Sequence, residues 1–107
     1  MRLTVLPACL LMMCTGCDPS PAKIVYTTHT VAIRQMKFEP AELDIKKGDT
    51  ILFINNDLFV HDITESSKKE WSSGALPNGQ SWKLVPQETV DYYCSIHLVM
   101  KGKIVVR

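Results

Sequence analysis

The sequence has almost no excess of charge and no long hydrophobic run. Its 107 residues carry 12 basic and 11 acidic side chains, so it lacks the basic footprint of a nucleic-acid-binding protein. The apolar stretch at residues 3–13 is shorter than the roughly 20 residues that a membrane-spanning helix needs. With 46% hydrophobic residues the chain is too apolar to be disordered, and its length allows one domain but not a Rossmann or TIM architecture.

Motifs of common enzyme classes are missing as well. The sequence contains no G-x-S-x-G nucleophile elbow, no P-loop and no pair of histidines at helical spacing. It also has no internal repeats and no low-complexity tracts. The sequence therefore favours a protein that is not an enzyme over a hydrolase or a transferase.

The N-terminal residues are typical of an export signal followed by a tether. Arg2 precedes the apolar stretch and small residues follow it, as in a secretory signal peptide. Cys14-Thr15-Gly16-Cys17 resembles the bacterial lipobox, whose last cysteine is lipidated at the mature N-terminus. We expect a lipoprotein signal peptide over residues 1–16, cleaved before Cys17, and a tether over residues 17–23. The alternatives are ordinary signal cleavage and a redox or metal site at the C-x-x-C.

From residue 24 onward the pattern is that of short strands separated by turns. Residues 24–35 are rich in β-branched side chains, and Leu43 and Ile45 alternate with polar residues. Four apolar residues follow one another within residues 50–55, which predicts a strand buried on both faces. Further strands are expected at residues 62–64, 82–85, 90–94 and 103–107. Six to eight short strands without a helical period predict an all-β sandwich or small barrel over residues 24–107.

Three potential metal ligands lie close together near the end of the chain. Cys94, His97 and Met100 form a C-x-x-H-x-x-M motif between two predicted strands, and a thiolate, an imidazole and a thioether together suit copper. A second imidazole would complete a trigonal site of two histidines and one cysteine. His61 is favoured over His29, because it follows a predicted buried strand and an apolar loop at one end of the sandwich.

These residues resemble those of the cupredoxins, the plastocyanin/azurin family of type 1 blue-copper proteins. The resemblance extends from about residue 31 to residue 107. The short H-x-x-M spacing is similar to that of the amicyanins, because plastocyanins and pseudoazurins have longer loops there. The motifs that carry it are Met36-Lys37-Phe38 with Pro40, Lys47-Gly48-Asp49-Thr50, the stretch 55–61 and the stretch 93–103.

The resemblance implies a cupredoxin-like Greek-key β-sandwich of about seven or eight strands that binds one type 1 copper ion, Cu(I) or Cu(II). It implies His61, Cys94 and His97 as equatorial ligands and Met100 as the axial ligand. It also implies a monomeric one-electron carrier whose partners are redox proteins such as a dehydrogenase, a cytochrome or an oxidase. Together with the export signal, it predicts a location in the periplasm or cell envelope of a bacterium, with a lipid anchor to a membrane through Cys17.

Two positions depart from the family pattern. Asp62 follows the first histidine, where many cupredoxins have Asn, and Ser95-Ile96 stands where a proline usually lies between the cysteine and the second histidine. An amide can donate a hydrogen bond to the ligand loop, whereas an ionised carboxylate cannot. We therefore expect weaker bracing of the ligand loop and a shifted potential.

Other interpretations of the same residues remain. The protein could bind copper for trafficking or resistance and pass on Cu(I) instead of electrons, or it could be a sandwich with a vestigial site. His29 is expected to be an ordinary strand residue without a companion, and Trp71 and Trp82 are expected to cover the core or a loop. The apolar residues beside the ligands are expected to form a patch at the copper end: Leu58, Phe59, Ile96, Leu98 and Val99.

Overall fold

The computed structural model describes residues 2–4, 16 and 23–107. Regular structure among these residues consists of strands alone, and no helix in them is long and apolar enough to cross a bilayer. The expected signal peptide at 1–16, the lipidated Cys17 and the tether at 17–23 lie almost wholly outside the described residues. The strands are β1 (Thr28–Arg34), β2 (Lys37–Glu39), β3 (Glu42–Ile45), β4 (Thr50–Asn55), β5 (Thr64–Glu65), β6 (Ser81–Leu84), β7 (Val90–Tyr93) and β8 (Lys101–Val106).

The strands form two four-stranded sheets of mixed direction. The order is β2-β1-β4-β6 in the first sheet and β3-β8-β7-β5 in the second. β1 pairs with β4 and β3 pairs with β8 in parallel, while the other neighbouring strands are antiparallel. The predicted all-β sandwich of seven or eight strands is therefore confirmed.

Two strands differ from their predicted form. β4 is not buried on both faces: Ile51, Phe53 and Asn55 are buried, whereas the residues between them are only half-buried. The outer face of the first sheet is thus partly open to solvent, so the apolar run at 50–55 does not mark a doubly covered strand. β1 begins at Thr28 and not at residue 24, because residues 24–27 lie beyond the sheet.

The core between the sheets is aromatic at its centre. The ring of Tyr92 packs edge-on against Phe38 and Phe53, with centroids 4.8 and 5.4 Å apart. Trp82 packs against Phe53 on one side and Trp71 on the other, which confirms the expectation that both tryptophans cover the core. This packing fixes β4 against β7, and the two strands end at the same pole of the sandwich.

Candidate metal centre

Three side chains with metal-binding atoms converge at the pole where β4 and β7 end. The Sγ atom of Cys94 lies 3.8 Å from Nδ1 of His61 and 3.8 Å from Nδ1 of His97. The two Nδ1 atoms are 3.1 Å apart. The structure thus brings together three of the four predicted ligands, and we call these three atoms the donor triangle.

The size of the donor triangle fits a metal ion at its centre. A point equidistant from the three atoms lies about 2.1 Å from each, within the range of about 2.0–2.3 Å found for metal bonds to imidazole nitrogen and thiolate sulfur. One thiolate and two imidazoles form the trigonal donor set of blue-copper sites. The donor set and its spacing both fit copper.

His61 is held by the loop that follows β4. Its backbone N–H and C=O both bond to Leu76, and its ring is fully buried. The Nε2–H group donates to Oδ2 of Asp57 at 2.9 Å, which leaves Nδ1 free to face the donor triangle. A carboxylate that accepts the second N–H of a ligating histidine fixes both its tautomer and its orientation.

Asp57 is itself positioned by several backbone groups. It accepts hydrogen bonds from the N–H groups of Met36 and Leu58, and its own N–H donates to Oδ1 of Asn55. The hydrogen bond from His61 is the largest influence on Asp57 and holds the pKa of its carboxyl below the usual value, against the opposing effect of burial. The Asp57 carboxyl group is therefore ionised at neutral pH, and its two oxygens act only as acceptors.

Asn55, the last residue of β4, joins the segment that follows this strand to the backbone of Leu76. Its side-chain amide is fully buried and donates to the carbonyls of Phe59 at 2.8 Å and Leu76 at 2.7 Å. Sequence reasoning did not identify Asn55 and Asp57 as functional residues, although both lie in the 55–61 stretch that resembles the cupredoxins. Their polar character directly after a buried strand is the signal that could have found them.

Cys94, His97 and Met100 lie on the loop between β7 and β8. Met100 closes this loop, because its N–H donates to the carbonyl of His97 at 3.0 Å and its carbonyl accepts from the N–H of Cys94 at 3.1 Å. Met100 is also buried and belongs to the core. These backbone hydrogen bonds place Met100 next to Cys94 and His97 in the loop, and its role as axial ligand stays a prediction.

The expected weakness of the Asp62 position is wrong. The Asp62 carboxylate accepts hydrogen bonds from the Ser95 N–H at 2.7 Å, from the Ser95 hydroxyl and from the Thr64 hydroxyl at 3.0 Å. An asparagine at position 62 could donate a hydrogen bond to the ligand loop, whereas here Ser95 of that loop donates and Asp62 accepts. The segment after His61 and the loop after Cys94 are therefore still held together. The N–H of Asp62 also points at Sγ of Cys94, 3.4 Å away, and stabilises negative charge on the sulfur.

His29 lies away from the donor triangle and has a companion that sequence reasoning did not foresee. Its Nε2–H group donates to Oδ2 of Asp49 at 2.9 Å, near the start of β4. His29 lies beside Ile51 at the start of β4, whereas the donor triangle lies beyond Asn55 at the end of that strand. His29 is therefore too far away to be a ligand. The preference for His61 over His29 therefore agrees with the placement of both rings.

An apolar rim surrounds the half-buried ring of His97. The Phe59 ring meets the His97 ring edge-on with centroids 6.3 Å apart. The expected patch at this pole is confirmed as an exposed surface, to which Val60 is added, and none of its members carries a charge. The exposed members are Leu58, Phe59, Val60, Ile96, Leu98 and Val99.

Known proteins share both the sequence pattern and the fold. Residues 25–107 match the family described as copper binding proteins, plastocyanin/azurin family. Amicyanin of Paracoccus denitrificans is 34% identical over 94 residues, covering 79% of this chain and 70% of that protein. Amicyanin-alpha of Methylorubrum extorquens is 33% identical over 82 residues, covering 71% of this chain and 69% of that protein.

Solved structures give the same result. The reduced Cu(I) form of an amicyanin point mutant aligns with a TM-score of 0.70 at 30% identity, covering 80% of this chain and 88% of that one. A purple cupredoxin from Nitrosopumilus maritimus aligns with a TM-score of 0.69, covering 74% of this chain and 99% of that one. At 23% identity the second likeness concerns the fold alone.

Proposed function

Because the chain belongs to the copper-binding plastocyanin/azurin family, whose members bind one copper ion, we propose that it is a type 1 copper protein that carries single electrons. His61, Cys94 and His97 would hold the ion through the atoms of the donor triangle, and Met100 would supply the fourth, weaker ligand. The observation that carries the proposal is the donor triangle, whose two sides to sulfur are equal at 3.8 Å. When bound, copper supplies the one-electron chemistry.

The residues of the chain keep the ligands in one arrangement for both oxidation states. Asp57 orients His61, and Asp62 ties the loop of Cys94 to the strand end that carries His61. Because a site that does not rearrange lowers the reorganisation energy of transfer, this bracing supports an electron carrier. His97 lies between the donor triangle and the apolar rim, so its ring is the exit for the electron.

The setting of the protein is the bacterial cell envelope. The export pattern in residues 1–16 and the lipobox-like Cys14–Cys17 support transfer across the inner membrane and lipidation at Cys17. The partners are redox proteins that dock through the apolar rim, in encounters that bury less than about 1,200 Å². A dehydrogenase, a cytochrome and an oxidase each suit this surface.

The test is copper loading of the apo-protein. Adding Cu(II) is expected to produce an intense thiolate-to-copper absorption in the visible range, and Cys94→Ala is expected to abolish it. His29→Gln serves as the matched control, because it removes a histidine outside the donor triangle and keeps the colour. A wild-type protein that is fully loaded yet colourless would refute the assignment.

Voltammetry then separates electron transfer from copper delivery. An electron carrier gives a fast, reversible one-electron wave and retains its copper in the presence of an acceptor protein. A trafficking protein gives up Cu(I) to the acceptor and shows no such wave. Loss of copper to the acceptor without reversible cycling would favour the trafficking function.

A further inference from the structure

The pole opposite the donor triangle carries exposed apolar and basic residues that the electron-carrier function does not use. This distal pole consists of residues 23–27, the turn 46–49, the loop 85–89 and Arg107. Hydrogen bonds join its parts: the backbone N–H groups of Thr50 and Lys47 donate to the carbonyls of Thr27 and Arg107, and the Val106 N–H donates to the Thr89 hydroxyl. It is therefore a defined surface at the start of β4, about 20 Å from the end of that strand at roughly 3.3 Å per residue.

The apolar part of the distal pole is the segment before β1. Ile24, Val25 and Tyr26 are 73%, 74% and 61% exposed, although each has a large aliphatic or aromatic side chain. The segment is fixed at its end, because the Thr27 N–H donates to Asp49 and the Tyr26 ring lies against Gly48. A side chain at Gly48 would come 2.3 Å from that ring, so the contact depends on the glycine.

The charged part of the distal pole is basic. Lys23, Lys46 and Lys47 are exposed, and none of them forms an ion pair with another described residue. The acidic groups at this pole are Asp44, which pairs with Arg107, Asp49, which is buried and bonded to His29, and Glu88, which is exposed. Among the described residues, three exposed lysines without an ion-pair partner therefore lie at the distal pole, against one exposed and unpaired carboxylate, that of Glu88.

We propose that the distal pole docks on an anionic phospholipid surface, so that the copper end points away from the membrane. The proposal rests on the proposed anchor at Cys17, because only five residues lie between Cys17 and Lys23, and the six steps from one to the other span about 20 Å at most. Apolar and aromatic side chains beside lysines are typical of surfaces at the membrane interface. Each lysine near an anionic bilayer contributes about 1 kcal/mol.

The charge of the distal pole favours a lipid surface there over two other arrangements. These are lipid binding at the apolar rim around His97 and contact between two copies of the chain. The rim has no charged member, so it offers nothing to a lipid headgroup. Two copies meeting through their distal poles would bring six unpaired lysines together, which like-charge repulsion disfavours. The orientation has a functional consequence, because redox partners then reach His97 from the aqueous side of the membrane.

The test is lysine acetylation of the lipidated, copper-loaded protein in vesicles, read by mass spectrometry. In vesicles of phosphatidylethanolamine and phosphatidylglycerol we expect Lys23, Lys46 and Lys47 to react about fivefold more slowly than in phosphatidylcholine vesicles, the factor that about 1 kcal/mol gives. High salt should remove the protection. The exposed control residues Lys37 and Lys101, which lie at the pole of the donor triangle, should react equally in both lipids.

Charge reversal provides the matched variants. Lys46→Glu with Lys47→Glu should abolish the protection of Lys23, and Lys37→Glu with Lys101→Glu should leave it unchanged. Equal reactivity of all lysines in both lipids overturns the proposal. Protection that needs no vesicles and rises with protein concentration also overturns it, because a second copy then covers the pole.

Failure of the proposed function is read separately. The blue absorption reports the copper site, and the mass of the N-terminal peptide reports acylation of Cys17. If no acyl group is found, salt-sensitive cosedimentation with the anionic vesicles decides whether the pole binds lipid. Absence of cosedimentation would then overturn the docking surface.

Discussion

Single carboxylates on two sides of the donor triangle determine how its ligands are held. Asp57 fixes the ring of His61 from behind, and Asp62 fixes the loop that begins at Cys94 through Ser95. The sequence indicated the ligands through their chemical type and spacing. It did not indicate these supports, because a hydrogen bond between residues 62 and 95 depends on how two loops meet in space.

Removal of the Asp57 carboxylate is expected to weaken copper binding. Asp57→Ala takes away the acceptor of the His61 Nε2–H group, and loss of such a partner lowers metal affinity by about 10–100-fold. Asp57→Asn keeps an oxygen that can accept this hydrogen bond, so its copper affinity should fall less. Competition with a Cu(I) chelator measures both. Asp44→Ala, at an exposed acid bonded to Arg107, is the control, and an equal affinity for Asp44→Ala and Asp57→Ala would contradict the prediction.

Asp62 is expected to stabilise the folded protein through Ser95. Asp62→Ala removes the buried carboxylate that accepts from the Ser95 N–H and from two hydroxyl groups, and a hydrogen bond to a charged group contributes about 1.5–3 kcal/mol. Ser95→Ala removes only the hydroxyl and should cost less. Urea unfolding of the copper-loaded variants measures the difference. If Ser95→Ala proved as destabilising as Asp62→Ala, the backbone hydrogen bond would not be the important one.

At the scale of elements, the turn after β5 is built around one carboxylate. Glu65 accepts hydrogen bonds from the N–H groups of Ser67 and Lys68 at 2.8 Å, from that of Glu70 at 3.1 Å, and from the Ser67 hydroxyl. The Ser67 hydroxyl is the largest influence, and these donors lower the pKa of Glu65 to about 2 despite its burial. The turn therefore depends on the ionised form.

Acid is expected to weaken the fold through Glu65. Its folded-state pKa of about 2 lies below the usual 4.5, so the stabilisation is present above pH 4.5 and is lost as the pH falls towards 2. Between pH 5 and pH 2 the wild type should lose more thermal stability than Glu65→Gln. Circular dichroism melts across this range measure it. Glu88→Gln, at an exposed acid, should follow the wild type, and parallel curves for all three proteins would contradict the prediction.

The β7–β8 pairing depends on a close approach between Tyr92 and Gly102. The two residues are directly opposite, and a Cβ atom at Gly102 would lie 2.1 Å from Cζ of Tyr92. Gly102→Ala is therefore expected to lower the free energy of unfolding by about 1–3 kcal/mol, the usual cost of overpacking. Lys103→Ala, at the next and exposed position of β8, is the control. Equal unfolding curves for the two variants would show that the ring moves aside freely.

At the scale of the whole molecule, the donor triangle joins the two sheets. His61 follows β4 of the first sheet, whereas Cys94 and His97 lie between β7 and β8 of the second. A copper ion therefore links elements that are distant in the chain and would separate on unfolding.

Removal of copper is expected to lower the melting temperature. A ligand that binds only the folded state stabilises it by about 4 kcal/mol at 1,000 times its dissociation constant. The copper-loaded wild type should melt higher than the apo-protein, and Cys94→Ala should show no such difference. Calorimetry with and without copper measures this. A copper-induced rise in Cys94→Ala would mean that the metal binds elsewhere.

The sequence by itself determined the strand pattern, the all-β class and the chemical identity of the ligands, because alternation and the C-x-x-H-x-x-M spacing are local properties. It also indicated the family, whose match covers residues 25–107. Only the tertiary structure decided that the ring of His61 faces Cys94 while that of His29 bonds to Asp49, that Asp62 braces Ser95 as an acceptor, and that lysines from two segments share one pole. Those features arise where segments far apart in the chain meet, and the packing of the two sheets sets where they meet.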